Sequence, residues 1–420
     1  MRRSISDRTS WDWTAAITLA SALTFALAIF TTATQSAQAQ TYQSIHNFTG
    51  ATGDRSLAGL AIDSEGNLYG TTAWGGASGI GSVFELKKTA SGYVYSLLHS
   101  FAGGNDGQFP ASAVVIGTNG VLYGAAVGGG EGRSDGVVFS LKPPAKGCGT
   151  SCSWTESVLY RFTGGDDGRN PWGGVILDAK GNLYGTTANG ATAGGVVYEL
   201  IPSDGVWTIK ILYTFTGGAD GDSPLSGVTF DHAGNLYGTT SSGGDGGGFG
   251  NGAVYELTPS GSGWTEHTLY DFQNGSDGAT PQAGVMIDSS GNVYGDTPCC
   301  GSGNGGTVFE LTSSNGEWAF HLLYSLSGDF GPGPEGNLIM DSAGNLYGTT
   351  LDDGVHDKGS VFKLSPGESG WSYTSLEDFT GGFEALGATG GVVFDKEGNL
   401  YGATYSDGGS INGVVFEITP

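Results

Sequence analysis

The side chains with which this 420-residue chain could do chemistry are six histidines, four cysteines and a large excess of carboxylates. A histidine suits a catalytic base or a zinc ligand. Four of the six lose that distinction when the chain is aligned on its own internal copies. His46 and His99 take a slot filled elsewhere by Tyr160, Tyr213, Tyr270 and Tyr324, and His267 and His321 occupy matching positions three residues after a tryptophan. His232 lies in a short turn. His356 stands beside Asp352, Asp353 and Asp357 in a variable loop, and these four are candidate ligand-binding residues. Asp106, Asp167, Asp220 and Asp277 recur in TGGxDGxxP-like segments, with Asp54 shifted by one position. Carboxylates beside glycine carbonyls suit Ca²⁺. The same residues suit the ordering of their own turns, and recurrence from copy to copy favours the turn, so calcium at these four is a secondary expectation and no other metal or cofactor is expected.

Trp74 and Trp172 break the repeat, which makes them candidate stacking residues, with packing between repeats as the competing role. Cys148 and Cys152 share one loop and are expected to form a local disulfide. Cys299 and Cys300 are adjacent, and either a vicinal disulfide or two thiols would fit.

The elements that must position these residues repeat seven times. A GNLYGTT-like motif places its tyrosine at Tyr69, Tyr123, Tyr184, Tyr237, Tyr294, Tyr347 and Tyr401. A second motif, G-x-V-[FY]-x-[LI], centres on Phe84, Phe139, Tyr198, Tyr255, Phe309, Phe362 and Phe416. With an apolar pentad such as 59–63 and an aromatic-led run such as 154–162, each copy holds four short strands, A to D, bounded by turn residues. Strand A is nearly all apolar and is expected to be buried on both faces.

Repeated four-stranded antiparallel sheets predict an all-β, seven-bladed β-propeller, in which ring closure protects the sheet edges. Residues 42–48 read as a lone strand D and would complete the last blade, whose other strands lie near 391–395, 399–404 and 414–418. Alternating strand directions send the A–B and C–D turns to one face and the B–C and D–A loops to the other. The two cysteine pairs then fall on opposite faces, which excludes one Cys₄ zinc site. Gly59, Gly174, Gly227, Gly284 and Gly391 share one slot near the axis, with Ala113 and Asn337 in two other copies, and only Glu335 lies nearby. No catalytic centre is recognised.

Glycine makes up 79 residues, but at fixed places between apolar runs, as in a globular repeat rather than a disordered chain. Residues 1–39 read as a signal peptide: Arg2, Arg3 and Arg8 precede an apolar stretch, and Ala37-Gln38-Ala39 offers a cleavage site. Cleavage would leave residues 40–420 as a single repeat domain, secreted or periplasmic, with no membrane insertion. The net charge of −25 becomes −26 when three arginines and two aspartates are removed. Such a field disfavours nucleic acid and anionic lipid.

The seven GNLYGTT-like motifs and their paired VFEL-type strands, over roughly residues 42–420, resemble the GloVer tandem-repeat ("choice-of-anchor") family of bacterial extracellular proteins. There is a looser similarity to NHL-type and lactonase-type propellers in strands A and B. The resemblance implies an extracellular setting and brings no reaction or site. The expected function is a monomeric binding or interaction scaffold for a glycan, peptide or protein on the B–C and D–A face. The alternative is a hydrolase or lyase acting on polysaccharide or lactone through acidic loop residues, which requires carboxylates of shifted pKa gathered in one cleft.

Overall fold

A computed structural model of the protein describes residues 40–130, 134–145, 153–190, 194–244, 250–328, 333–381, 387–406 and 412–419. The expected signal peptide and the Cys148–Cys152 bridge lie outside these residues. The segment Thr41–Thr419 forms one compact unit of seven four-stranded antiparallel sheets arranged as a seven-bladed β-propeller.

Blade 1 consists of strands A to D at Ala61–Ile62, Leu68–Thr72, Ser82–Thr89 and Gly92–Ser100. Blade 5 has Met286–Ile287, Val293–Thr297, Asn304–Ser314 and Glu317–Ser327, and blade 6 has Ile339–Met340, Leu346–Thr350, Ser360–Gly367 and Gly370–Asp378. Blade 7 takes A, B and C from Val392–Phe394, Leu400–Ala403 and Val414–Thr419, and its strand D from Thr41–Asn47. Thr41 stands opposite Thr419 and Asn47 opposite Val414, so the first strand of the unit closes the ring on the last, as its sequence suggested.

The core lies between blades. A phenylalanine just after strand D packs edge-on against the C-strand aromatic of the next blade: Phe48 on Phe84, Phe101 on Phe139, Phe162 on Tyr198, Phe215 on Tyr255, Phe272 on Phe309 and Phe379 on Phe416, with centroids 5.0–5.6 Å apart. These rings are almost fully buried, and each buried ring contributes roughly 1.5–3 kcal/mol. At the seam between blades 5 and 6 the phenylalanine is replaced by Leu326.

Strand A differs from expectation. It is two or three residues long and half-buried, whereas the five-residue strand B is fully buried in most blades. The innermost strands line an axial channel, so one side of each faces open space, while strand B is covered by both neighbouring blades. Converging backbones at the axis explain the glycine slot: a Cβ on Gly59 would collide with the Gly390 carbonyl.

Candidate functional site

The residues common to the blades are consumed by structure. In the D-x-x-G-N-x-Y turns, Asp231 Oδ1 accepts from the backbone N–H groups of Ala233 and Asn235, each at 2.8 Å, while Asn235 Nδ2 donates to Asp231 Oδ2 at 2.9 Å. Tyr237 Oη donates to Glu256 Oε1 at 2.7 Å. The same pattern recurs around Asp63, Asp178, Asp288, Asp341 and Asp395.

The D–A loop carboxylates behave alike. Asp167 accepts from Thr163 N (2.9 Å), Thr163 Oγ1 (2.5 Å) and Tyr160 Oη (3.0 Å). Asp220 repeats this with Thr216 and Tyr213, and Asp277 with Gln273 N and Tyr270. Burial pushes the Asp220 carboxyl up, but these donors outweigh it and leave it below the usual range. Asp106 accepts from Ala102 N and faces His99 Nε2 at 3.2 Å. Each of the four orders its own loop, on a different blade. Asp54 is not their equivalent; it bridges to Trp74 through the backbone.

The other candidates are spread out. Trp74 is half-buried, packed on Phe109 with the Arg55 guanidinium 5.0 Å above its ring. Cys299 and Cys300 are joined as a vicinal disulfide in the B–C loop of blade 5. The 352–357 loop divides: His356 and Asp357 are exposed, whereas Asp353 is buried in a lateral pocket of about 280 Å³ with Asp378, Tyr324 and Tyr373. Burial pushes the Asp353 carboxyl up, and Asp378 and Asp357 add to the shift.

Trp172 stands elsewhere, at the mouth of the axial channel. There one residue from each blade, three or four positions ahead of strand A, forms a ring: Leu57, Ala111, Trp172, Leu225, Gln282, Glu335 and Thr389 enclose a basin of about 370 Å³ above a channel of about 320 Å³. Trp172 keeps 40% of its surface exposed. Burial pushes the Glu335 carboxyl up, and the charge of Asp352 pushes it further. Glu335 in turn adds to the effect of burial on Asp296 of blade 5, which lies well above the usual carboxylate range. Asp296 is 1% exposed, and neither of its oxygens has a hydrogen-bond partner.

Sequence reasoning found Trp172 and noticed Glu335 but missed the ring as a unit. Its seven positions share a place and not a residue type, so an alignment that seeks shared residues passes over them. The signal was the slot itself, two residues ahead of the glycine-slot residue in every copy.

Among the described residues, no helix is long and apolar enough to cross a membrane. No curated protein matches the sequence. Among solved structures, the extracellular domain of a B. thetaiotaomicron protein described as a hybrid two-component system is similar over 90% of this chain and 39% of its own, with a TM-score of 0.55 and 13% identity. PorZ, a bacterial surface component of the type-IX secretion system of Porphyromonas gingivalis, is similar over 88% of this chain and 47% of its own, with a TM-score of 0.54 and 15% identity. The chain thus spans less than half the length of each, and at these identities the likeness is one of fold. The profile of the Gloeobacter/Verrucomicrobia repeat matches residues 28–157 and 245–420, more than half of the sequence. The chain belongs to the Gloeobacter/Verrucomicrobia repeat family.

Proposed function

We propose that this protein is a secreted binding scaffold that seats a small ligand, or the exposed end of a glycan or peptide chain, in the mouth of its axial channel. One observation carries this reading: the seven ring positions converge on one basin, yet they differ in residue type where most of the repeat is uniform. Structural positions in a repeat are held alike by packing, and a surface that varies on a rigid scaffold is free to serve binding. An exposed indole facing a polar rim suits a ring-shaped or chain-end ligand.

The test is a glycan and peptide array probed with the purified protein and with Trp172→Ala. The expected hit weakens by about tenfold or more on losing the indole and is untouched by Trp74→Phe. Hits that Trp172→Ala and Gln282→Ala leave unchanged would move binding away from the axis.

A second reading, a hydrolase or lyase, draws support from Glu335, whose raised pKa suits a general acid. It requires that Glu335→Gln keep ligand binding and abolish bond cleavage.

A further inference from the structure

We propose that the axial mouth is selective for a compact organic cation, an ammonium group on a body about the size of one sugar ring, with the ammonium at Glu335 and the body against Trp172. This rests on the reading of the mouth as a ligand seat and names the class of its ligand.

Glu335 is the sole charged residue lining the basin and channel among the described residues; no lysine, arginine or histidine shares those walls. A half-buried carboxylate without a counter-charge calls for one. Behind it lies a second carboxyl without a hydrogen-bond partner. In strands B at Leu68–Thr72, Leu183–Thr187 and Leu236–Thr240 the residue equivalent to Asp296 is a threonine whose Oγ1 donates across the seam to a channel-wall carbonyl: Thr71 to Ser112 at 2.9 Å, Thr186 to Ser226 at 2.6 Å and Thr239 to Ala283 at 2.8 Å. The matching wall residue in blade 6 is Gly336, next to Glu335. The Asp296 side chain therefore points at the wall beneath Glu335, fully buried and with both oxygens unpartnered.

Three features select an organic cation over a metal ion. No group of three or more His, Cys, Asp or Glu capable of holding a metal occurs among the described residues. Gln282 from the adjacent blade offers an amide oxygen to the N–H donors of an ammonium. Trp172, three blades from Glu335 around the same rim, offers an apolar, electron-rich face to the rest of the molecule. The overall charge of −25 draws cations to the molecule.

The test measures binding of two amines, glucosamine and cyclohexylamine, against their neutral isosteres, glucose and cyclohexanol, and against CaCl₂, by calorimetry. The amines are expected to bind about tenfold or more tighter than the isosteres, as a charged hydrogen bond allows. Glu335→Gln should erase that preference, Glu335→Asp should retain it, and Trp172→Ala should weaken all four compounds, with circular dichroism and Tm confirming the fold of each variant. Equal binding of amines and isosteres, a preference that survives Glu335→Gln, binding of Ca²⁺ alone, or no binding by any probe would each overturn the proposal. The array experiment separates the two readings: a Trp172-dependent hit there with no amine preference here removes the ligand class and leaves the scaffold.

Discussion

Asp296 occupies a position where other blades place a hydroxyl donor, and its carboxyl can serve that role only in the protonated form. A carboxyl whose pKa is raised on folding stabilises the fold at pH values below its unfolded pKa, and that contribution is lost as pH rises through the folded value. Asp296→Thr should therefore stabilise the protein, by about 1–3 kcal/mol as expected for relieving a buried unsatisfied group, with the largest gain in Tm at alkaline pH and a smaller one near pH 4. Thermal melts of both proteins from pH 4 to 9 check this, and a gain independent of pH would assign the effect to packing. The substitution was readable in the sequence as GNVYGDT against GNLYGTT. Its meaning was not, because only the fold shows that the side chain points across a seam toward the channel wall.

Strand Thr41–Asn47 is held to blade 7 by its ladder and by its side chains. Tyr42 lies 5.9 Å from Phe416, and His46 stacks on Tyr95 of blade 1 at 4.3 Å with the rings nearly parallel. Burial lowers the His46 pKa to about 4. A histidine kept neutral by the fold gives stability that is present above its unfolded pKa near 6.5 and is lost as pH falls toward 4. His46→Tyr, which restores the residue of four other blades, should flatten that loss, so that the fall in Tm between pH 7 and pH 4.5 shrinks by roughly 1–2 °C for each kcal/mol recovered in a chain this size. An unchanged pH profile would show that protonation elsewhere drives acid unfolding. At the scale of elements the sequence was highly legible: strands B, C and D, their turns and the closing strand follow from repeated turn residues and aromatic spacing. Strand A was misjudged because Val, Ile and Leu runs look alike whether covered on both sides or lining a narrow channel.

Across the whole molecule the seam between blades 5 and 6 departs most from the repeat. Leu326 replaces the edge-on phenylalanine, Asp296 replaces the threonine that elsewhere donates across the seam, and the seam meets the mouth at Glu335. The candidate site was less legible than the fold because a site shared among seven blades has no local motif; it exists only once the ring is closed. Closure itself is testable. Removing residues 41–47 leaves Val414–Thr419 as an exposed edge, an invitation to pair with other chains. The expected result is a lower Tm and concentration-dependent association by size-exclusion chromatography, both reversed by a peptide spanning residues 41–48; a truncated protein that stays monomeric with the parental Tm would show that the closing strand is dispensable. The same arrangement sets a schedule for biosynthesis. Asn47 finds its place opposite Val414, 367 positions later in the chain, which at roughly 5–20 residues per second is an interval of about 20–70 s. Throughout that interval the nascent protein is an open arc with two adhesive ends, and the earliest strand to be made is the last to find its partner.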